Sequence, residues 1–305
     1  MKFITLLLTL FSTSAFAQNS QNADCQLDIP CELDSGRSYH VKVPDDWDGK
    51  TQLPVLMHFH GWQRTGALPV QHDRISGATR RRGVLLVAPN GNRKTWDFWD
   101  SETDDVPFGA EVLEDVAKNH PIDKDRIYVS GYSFGSAMAW RYVCENGNDV
   151  AALFAISGTL GQEVQCPQAP REVRHVHGTN DTVMDFPFGT GGDTTYPVKL
   201  WRYKFDCGVG QDAGAWNVVG SLTFQRTTWE DCGSGQNVAL DIQPVGHFIP
   251  HVWIGRQLDE LLGRAPTYPL KVPKAKVCFT SILCRCILLI PTAATCTFAH
   301  YLPLP

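Results

Sequence analysis

The sequence predicts one α/β domain built on a mainly parallel sheet with helices on both faces. Three observations predict it. Short, near-continuous apolar runs recur at 55–60, 84–88, 152–156 and 173–177, as strands buried on both faces require. Stretches with helical periodicity fall between such runs. At residue 130 a strand-like run passes into a helix-like one with only a glycine-flanked serine between them.

Further strand-like runs lie at 39–43, 127–130, 222–229 and 238–245. In the helical stretch 110–118, Val112, Leu113, Val116 and Ala117 recur with helical period. Residues 134–145 follow a strand directly, and 196–205 and 250–262 have amphipathic patterns. No internal repeat or long linker interrupts the chain, so residues 24–268 are expected to form a single domain.

The chain has 305 residues, 43% of them hydrophobic, enough to bury a real core. A formal net charge of −5 leaves no basic footprint for nucleic acid, and Arg80, Arg81 and Arg82 are expected at a solvated helix end. Residues 1–17 have the pattern of a signal peptide. Lys2 is the positive region, 3–11 the apolar stretch, and Ala15-Phe16-Ala17 the small-x-small cleavage site. The apolar stretch is too short to span a bilayer, so export is expected and membrane attachment is not.

Ten cysteines fit an oxidising compartment. Six lie in the body of the chain, and sequence alone does not choose their pairing. The simplest arrangement joins neighbours: Cys25 with Cys31, Cys144 with Cys166, and Cys207 with Cys232. Residues 274–305 form an atypical apolar extension with four cysteines and almost no charge. A membrane anchor and a packed extension are alternatives there; the favoured expectation is a segment outside the working domain, of the kind a shifted reading frame produces.

The chemistry concentrates at Gly131-Tyr132-Ser133-Phe134-Gly135. This is the G-x-S-x-G nucleophile elbow, with a strand before it and a helix after it, and it narrows the prediction to the α/β-hydrolase fold. A serine hydroxyl needs a base. His247 follows the strand-like run 238–245 and is the expected base; His251 and His300 are the competitors. The acid should follow an intervening strand. Asp181, in the loop after 173–177, fits, with Asp185 as the fallback and His177 expected to be structural.

The oxyanion donors are expected to be the backbone N–H groups of Phe134 and Trp62. Gly61 would let the backbone approach, and His60 would brace the loop. His58 and His60 share one strand face, but no third ligand at a sensible spacing accompanies them, so no metal and no cofactor is expected. Trp96, Phe98 and Trp99 follow another strand at the same edge. Trp96 and Trp99, with His60, are candidate substrate contacts, and ordinary packing is the alternative. Trp201, Trp216 and Trp253 could join such a cleft.

These segments resemble the polyhydroxybutyrate depolymerase and LpqC-like esterases, relatives of the feruloyl and acetylxylan esterases of carbohydrate esterase family one. The resemblance runs from about Cys31 to Leu262. It rests on His60-Gly61, Asp104-Asp105-Val106, the run from Ile122 to Tyr128, the elbow, His177-Gly178-Thr179-Asn180-Asp181, and Gly246-His247. It implies a Ser133–Asp181–His247 triad and hydrolysis of a small, oligomeric or polymeric ester through an acyl-enzyme. Three departures bear on the substrate. Phe134 stands where Asn or Ala is usual, Trp62-Gln63-Arg64 where small residues or Cys are usual, and Val245 before Gly246-His247 where Gly is usual. The bulky residues would reshape the acyl pocket. No separate substrate-binding domain is read in the sequence, which favours soluble esters or oligomers. An acyltransferase with the same triad, a noncatalytic cell-envelope binding protein and a peptidase are the alternative readings.

Overall fold

In a computed structural model, the residues described are Cys25, 29–189, 192–218, 222–230, 232–233 and 235–268. They belong to the first of two compact units, Met1–Lys271; the second, Val272–Pro305, lies outside the described residues, and with it the extension 274–305. The signal-peptide segment 1–17 also lies outside them.

The elements run β1 (Cys31–Glu32), β2 (Ser38–Lys42), β3 (Leu53–Phe59), α1 (Ala67–Gln71), α2 (Ala78–Arg80), β4 (Leu85–Pro89), α3 (Asp105–Asn119), β5 (Ile122–Tyr132) and α4 (Phe134–Asn146). There follow β6 (Ala152–Ile156), β7 (Glu172–Gly178), the small hairpin strands β8 (Phe188–Gly189) and β9 (Gly192–Asp193), and α5 (Tyr196–Lys204). The last are β10 (Gln211–Asn217), β11 (Thr223–Trp229), β12 (Asn237–Gln243) and α6 (Trp253–Leu261). The main sheet is ordered β1-β2-β4-β3-β5-β6-β7-β12-β11-β10. Its centre, from β4 through β12, is parallel; β1, β2, β10 and β11 extend it with antiparallel pairing.

Alternation along the strands divides the core into two layers. Val55, Met57 and Phe59 of β3 pack with residues of α3, α4 and α5. Leu56 between them packs on the other face with residues of α1, α2 and α6. The central strands are buried on both faces, which explains their uninterrupted apolar sequence.

The structure differs from the sequence expectation where polarity hid an element. β5 begins at Ile122, five residues earlier than expected, because the exposed segment 124–126 continues the strand after Ile122 pairs with Leu53. β10 has no apolar run; it is an edge strand held against β11 and bulged at Asp212–Gly214. Residue 251 is not helical: α6 starts at Trp253, after Val252 adopts a left-handed φ of 61°. The six body cysteines join their sequence neighbours, Cys25–Cys31, Cys144–Cys166 and Cys207–Cys232.

A buried ionic cluster ties α6 to the antiparallel side of the sheet. Arg226 of β11 makes a bidentate pair with Asp241 of β12, at 2.9 and 2.7 Å, and also reaches Glu260 of α6. Asp241 accepts from the indole N–H groups of Trp216 and Trp253 as well. Asp241→Ala leaves the Arg226 charge buried with half its partners, and we expect a loss of about 3–5 kcal/mol of stability in urea unfolding. A loss below about 1 kcal/mol would show that this cluster does not hold α6 in place.

Candidate active site

Ser133 stands between the end of β5 and the first turn of α4, with φ 57° and ψ −124°, a conformation strained for a residue with a side chain. Its own N–H is held by the carbonyl of Ile156 at 3.0 Å, and its carbonyl accepts from Ser136 and Ala137. The two flanking glycines are dictated by crowding. A Cβ on Gly135 would lie 2.0 Å from the Phe59 carbonyl oxygen and 2.4 Å from that of His60. A Cβ on Gly131 would lie 2.0 Å from the Gly135 carbonyl oxygen. The strand-to-helix turn is therefore packed backbone against backbone, and Ser133 is the residue it projects. Only 7% of Ser133 is exposed.

His247 lies in the loop after β12 and Asp181 in the loop after β7. The His247 Nδ1–H donates to Asp181 Oδ2 at 2.7 Å; because that partner is an acceptor, Nδ1 carries the proton and Nε2 is left as the basic nitrogen. The imidazole sits 4.9 Å, centroid to centroid, from the ring of Tyr132, the residue before Ser133, and the Tyr132 hydroxyl donates to the His247 carbonyl. A direct Ser133–His247 hydrogen bond is not among those the described residues form; such bonds tighten in the substrate complex.

Asp181 is buried, and burial alone would raise its pKa. Hydrogen bonds from His177 and His247 and the backbone N–H groups of Met184 and Val183 outweigh burial and hold the carboxyl far below the usual carboxylate range. His177 Nε2 faces two acceptors, the Met184 carbonyl at 2.7 Å and Asp181 Oδ2 at 3.4 Å. Behind it, His175 meets His177 Nδ1 at 3.2 Å, and burial keeps His175 neutral. Asp185 does not join the pair: its backbone carbonyl accepts from the Thr194 hydroxyl. His251 lies in the turn before α6, among Arg74, Arg81 and Arg82, and His300 is outside the described residues.

Two of the expected substrate contacts are corrected. His60 is buried; its Nδ1–H donates to the Gly61 carbonyl at 2.8 Å and its Nε2 accepts from the Gly91 N–H at 3.0 Å. Burial pushes its pKa down to about 4, so the neutral ring clamps two loops instead of meeting solvent. Trp96 is 1% exposed and donates its indole N–H to the His60 carbonyl, so it supports the loop from below. Trp201, Trp216 and Trp253 are likewise buried and line no cleft. His58 is buried against the Ser130 hydroxyl, and among the described residues no three His, Cys, Asp or Glu side chains are grouped to hold a metal ion. Trp99 and Trp62 are different: they are 57% and 59% exposed, and both rings lie against Phe134, at 5.6 and 6.2 Å. The Phe134 N–H belongs to the first turn of α4, where backbone donors have no acceptor within the helix.

Sequence reasoning missed three supports. Tyr132 was the variable position of the elbow, yet it tethers the His247 loop. Gln243, at the end of β12, bonds the Val245 N–H and the Gly246 carbonyl through one amide and so shapes the same loop. Asp105, at the start of α3, accepts from the Asp97 N–H and pairs with Arg37, which holds the segment carrying Trp96 and Trp99. A polar residue ending a buried strand, or an acid opening a helix beside an aromatic loop, is the signal that could have found the last two.

Sheet order, elbow and the loops bearing Asp181 and His247 define the α/β-hydrolase fold. A family model described as Phospholipase/Carboxylesterase matches residues 108–206, from α3 through the elbow and the Asp181 loop. A solved acetyl xylan esterase from Aspergillus awamori superposes with a TM-score of 0.58 at 15% identity, covering 77% of this chain and 97% of that one. By sequence, the chain is 27% identical over 225 residues to a bifunctional acetylxylan esterase/xylanase of Neocallimastix patriciarum, covering 72% of this chain and 32% of that protein. It is 28% identical over 162 residues to a probable feruloyl esterase C of Aspergillus niger, covering 51% of this chain and 58% of that protein. The chain thus spans less than two thirds of the length of these curated relatives.

Two outcomes follow from the geometry. Gly135→Ala must push α4 off β3, and we expect a loss of about 3 kcal/mol or more in denaturant unfolding; a change below about 1 kcal/mol would show that the elbow is not crowded. Asp181→Asn should cost about 1–3 kcal/mol at pH 7. The sign with pH follows from the depressed native pKa: the ionised carboxylate stabilises the fold above the unfolded-state pKa of about 4. That contribution is lost as pH falls toward the native value, so the gap between parent and variant should narrow in acid. Urea melts from pH 7 to pH 3 check it; a constant gap would show that the interaction does not depend on the Asp181 charge.

Proposed function

We propose that the protein is an exported serine carboxylic-ester hydrolase working through Ser133, His247 and Asp181. The observation that carries this reading is the 2.7 Å Asp181–His247 hydrogen bond beside a strained serine at the N-terminus of α4. In this reading His247 Nε2 takes the Ser133 proton as Oγ attacks the ester carbonyl. Asp181 holds the imidazole in the Nδ1–H tautomer and stabilises the imidazolium. The N–H groups of Phe134 and Trp62 receive the developing oxyanion, a stabilisation of about 3–4 kcal/mol per donor in comparable sites. His247 gives its proton to the departing alkoxide, and water, activated by the same imidazole, releases the acid.

The names of the relatives support feruloyl or acetyl esters as substrates, and hydroxybutyrate oligomers fit the resemblance of the motifs. The three disulfides support an oxidising compartment, and no helix among the described residues is long and apolar enough to cross a membrane.

The test is covalent labelling with a fluorophosphonate together with turnover of nitrophenyl esters. The parent protein should label at residue 133 and turn over, whereas Ser133→Ala should not label and should lose turnover by a factor on the order of 10³ or more. Asp181→Asn should lower kcat by a factor on the order of 10⁴. Parent-level hydrolysis by Ser133→Ala would remove the reading.

A further inference from the structure

Two features of the sequence have no part in the proposed chemistry: the run Arg80-Arg81-Arg82 and the histidine at 251. The structure brings Arg81, Arg82 and His251 to one cavity of about 180 Å³, between α2 and the start of α6. Arg74 and Arg256 line it too, and among the described residues Asp73 is the one carboxylate on its wall. We infer that this cavity binds a small tetrahedral oxyanion, phosphate or sulfate. It shares no lining residue with the Ser133 site, and the inference does not depend on the serine-esterase reading.

Four guanidinium groups around one small cavity repel each other unless counter-charge is supplied. The carboxylates present supply it unevenly. Arg82 is well answered, by a bidentate pair with Asp259 at 2.7 and 2.9 Å and by the Ala78 carbonyl. Arg81 has Asp73 at 3.2 Å, but both side chains are more than half exposed, and such a pair contributes little. Arg74 donates to the Ile249 carbonyl, which carries no charge. Arg256 shares the Glu260 carboxylate with Arg174 and Arg226. The Arg256 side chain is 3% exposed, yet its Nε and Nη1 have no hydrogen-bond partner. Buried polar groups nearly always have one, so these two donors call for an acceptor. Burial lowers the Arg256 pKa despite the Glu260 carboxylate, the direction expected of a cation short of counter-charge.

The backbone adds to this. α6 starts at Trp253, and its N-cap, Val252, has no polar side chain to cap the helix. Val252 and Gly255 line the cavity, so it adjoins the first turn of α6, where free N–H groups and the helix dipole favour an anion. A Cβ on Gly255 would lie 2.9 Å from the Arg82 guanidinium; without it, that cation lies against the same turn. Donors thus come from the segment before α2, from the α6 backbone and from Arg256. A tetrahedral ion presents oxygens in all these directions, whereas a planar carboxylate presents them in one plane. The cavity has roughly six times the volume of a water molecule in the liquid, room for one such ion with water around it.

Thermal unfolding of the protein tests this, in phosphate, sulfate, acetate or chloride at one pH and one ionic strength. Phosphate and sulfate, at concentrations up to about 20 mM, should raise Tm by about 2–4 °C, and the gain should saturate. Exclusion of these salts from the protein surface also stabilises, but it does not saturate. Titration calorimetry with phosphate should show Arg74→Gln and Arg81→Gln each weakening Kd about tenfold, the scale of one charged hydrogen bond. Each variant is read against its own ion-free Tm, so a change in basal stability does not enter. Glycerol 3-phosphate identifies the source: tighter binding than inorganic phosphate assigns a phosphoryl group carried on a larger molecule, and weaker binding assigns the free ion. A Tm gain no larger than acetate or chloride gives, or a phosphate Kd that both variants leave at the parent value, overturns the site.

Discussion

The arrangement of the site depends on a collision that is avoided by two missing side chains. α4 starts so close to β3 and β5 that Gly135 faces the carbonyls of Phe59 and His60, and Gly131 faces the carbonyl of Gly135. Any Cβ at either place would push the helix outward. With both absent, the chain turns within one residue, and that residue is forced to a positive φ. Strain of this kind costs on the order of 1–3 kcal/mol and persists only where its surroundings over-determine it. Here β5, central in the sheet and bonded on both edges, supplies the determination. The same contact fixes the carbonyl side of the His60–Trp62 loop, so the serine and the loop facing it are set by one packing event.

A second constraint is electrostatic. A buried carboxylate is costly unless its charge is answered. Asp181 is answered by two backbone N–H groups in its own turn, by His247, and more distantly by His177. The backbone donors belong to the turn, so the acid is anchored before the histidine docks. His247 then needs its own loop closed. Gln243 and Tyr132 do that from opposite sides, one through the backbone of 245–246 and the other through the carbonyl of residue 247. Tyr132, His177 and Gln243 lie at the C-terminal ends of parallel strands and Asp181 and His247 in the loops just beyond, which is why a parallel sheet can bring such distant positions together.

Much of this was legible in the sequence because it depends on chemistry that uses few residue types. Glycines around a serine mean a crowded turn, and apolar runs with glycine or asparagine after them mean buried parallel strands with loops at one edge. The sheet's centre and the Asp181 and His247 loops follow from that. What was not legible depends on partners distant in sequence. Trp96 and Trp99 are three residues apart and look alike as text. One is buried because the His60 carbonyl needs a donor beneath it; the other is exposed because Phe98 fills the space below. β10 was missed because Trp216 is its one large apolar residue, and pairing with β11, where Trp216 stacks on Phe224, makes it a strand.

The shape of the aromatic surface follows from the same elbow that sets the serine. Residue 134 is the first residue of α4, and its side chain is directed by a helix that cannot retreat from β3. Phe98 and Trp99 touch each other directly at 4.0 Å, so a small residue there would leave that pair together and would take away the ring that Trp62 packs against. Phe134 meets both Phe98 and Trp99 edge-on, an orientation in which the positive edge of one ring meets the negative face of another. Its backbone N–H, meanwhile, stays in the first helical turn, where it has no acceptor within the helix. One position thus couples two separate demands: a backbone free to meet negative charge, and a side chain that decides which groups can lie beside it. A substitution at residue 134 therefore changes what surrounds the Ser133 side chain without moving the serine, because the glycines, not the phenylalanine, hold the turn.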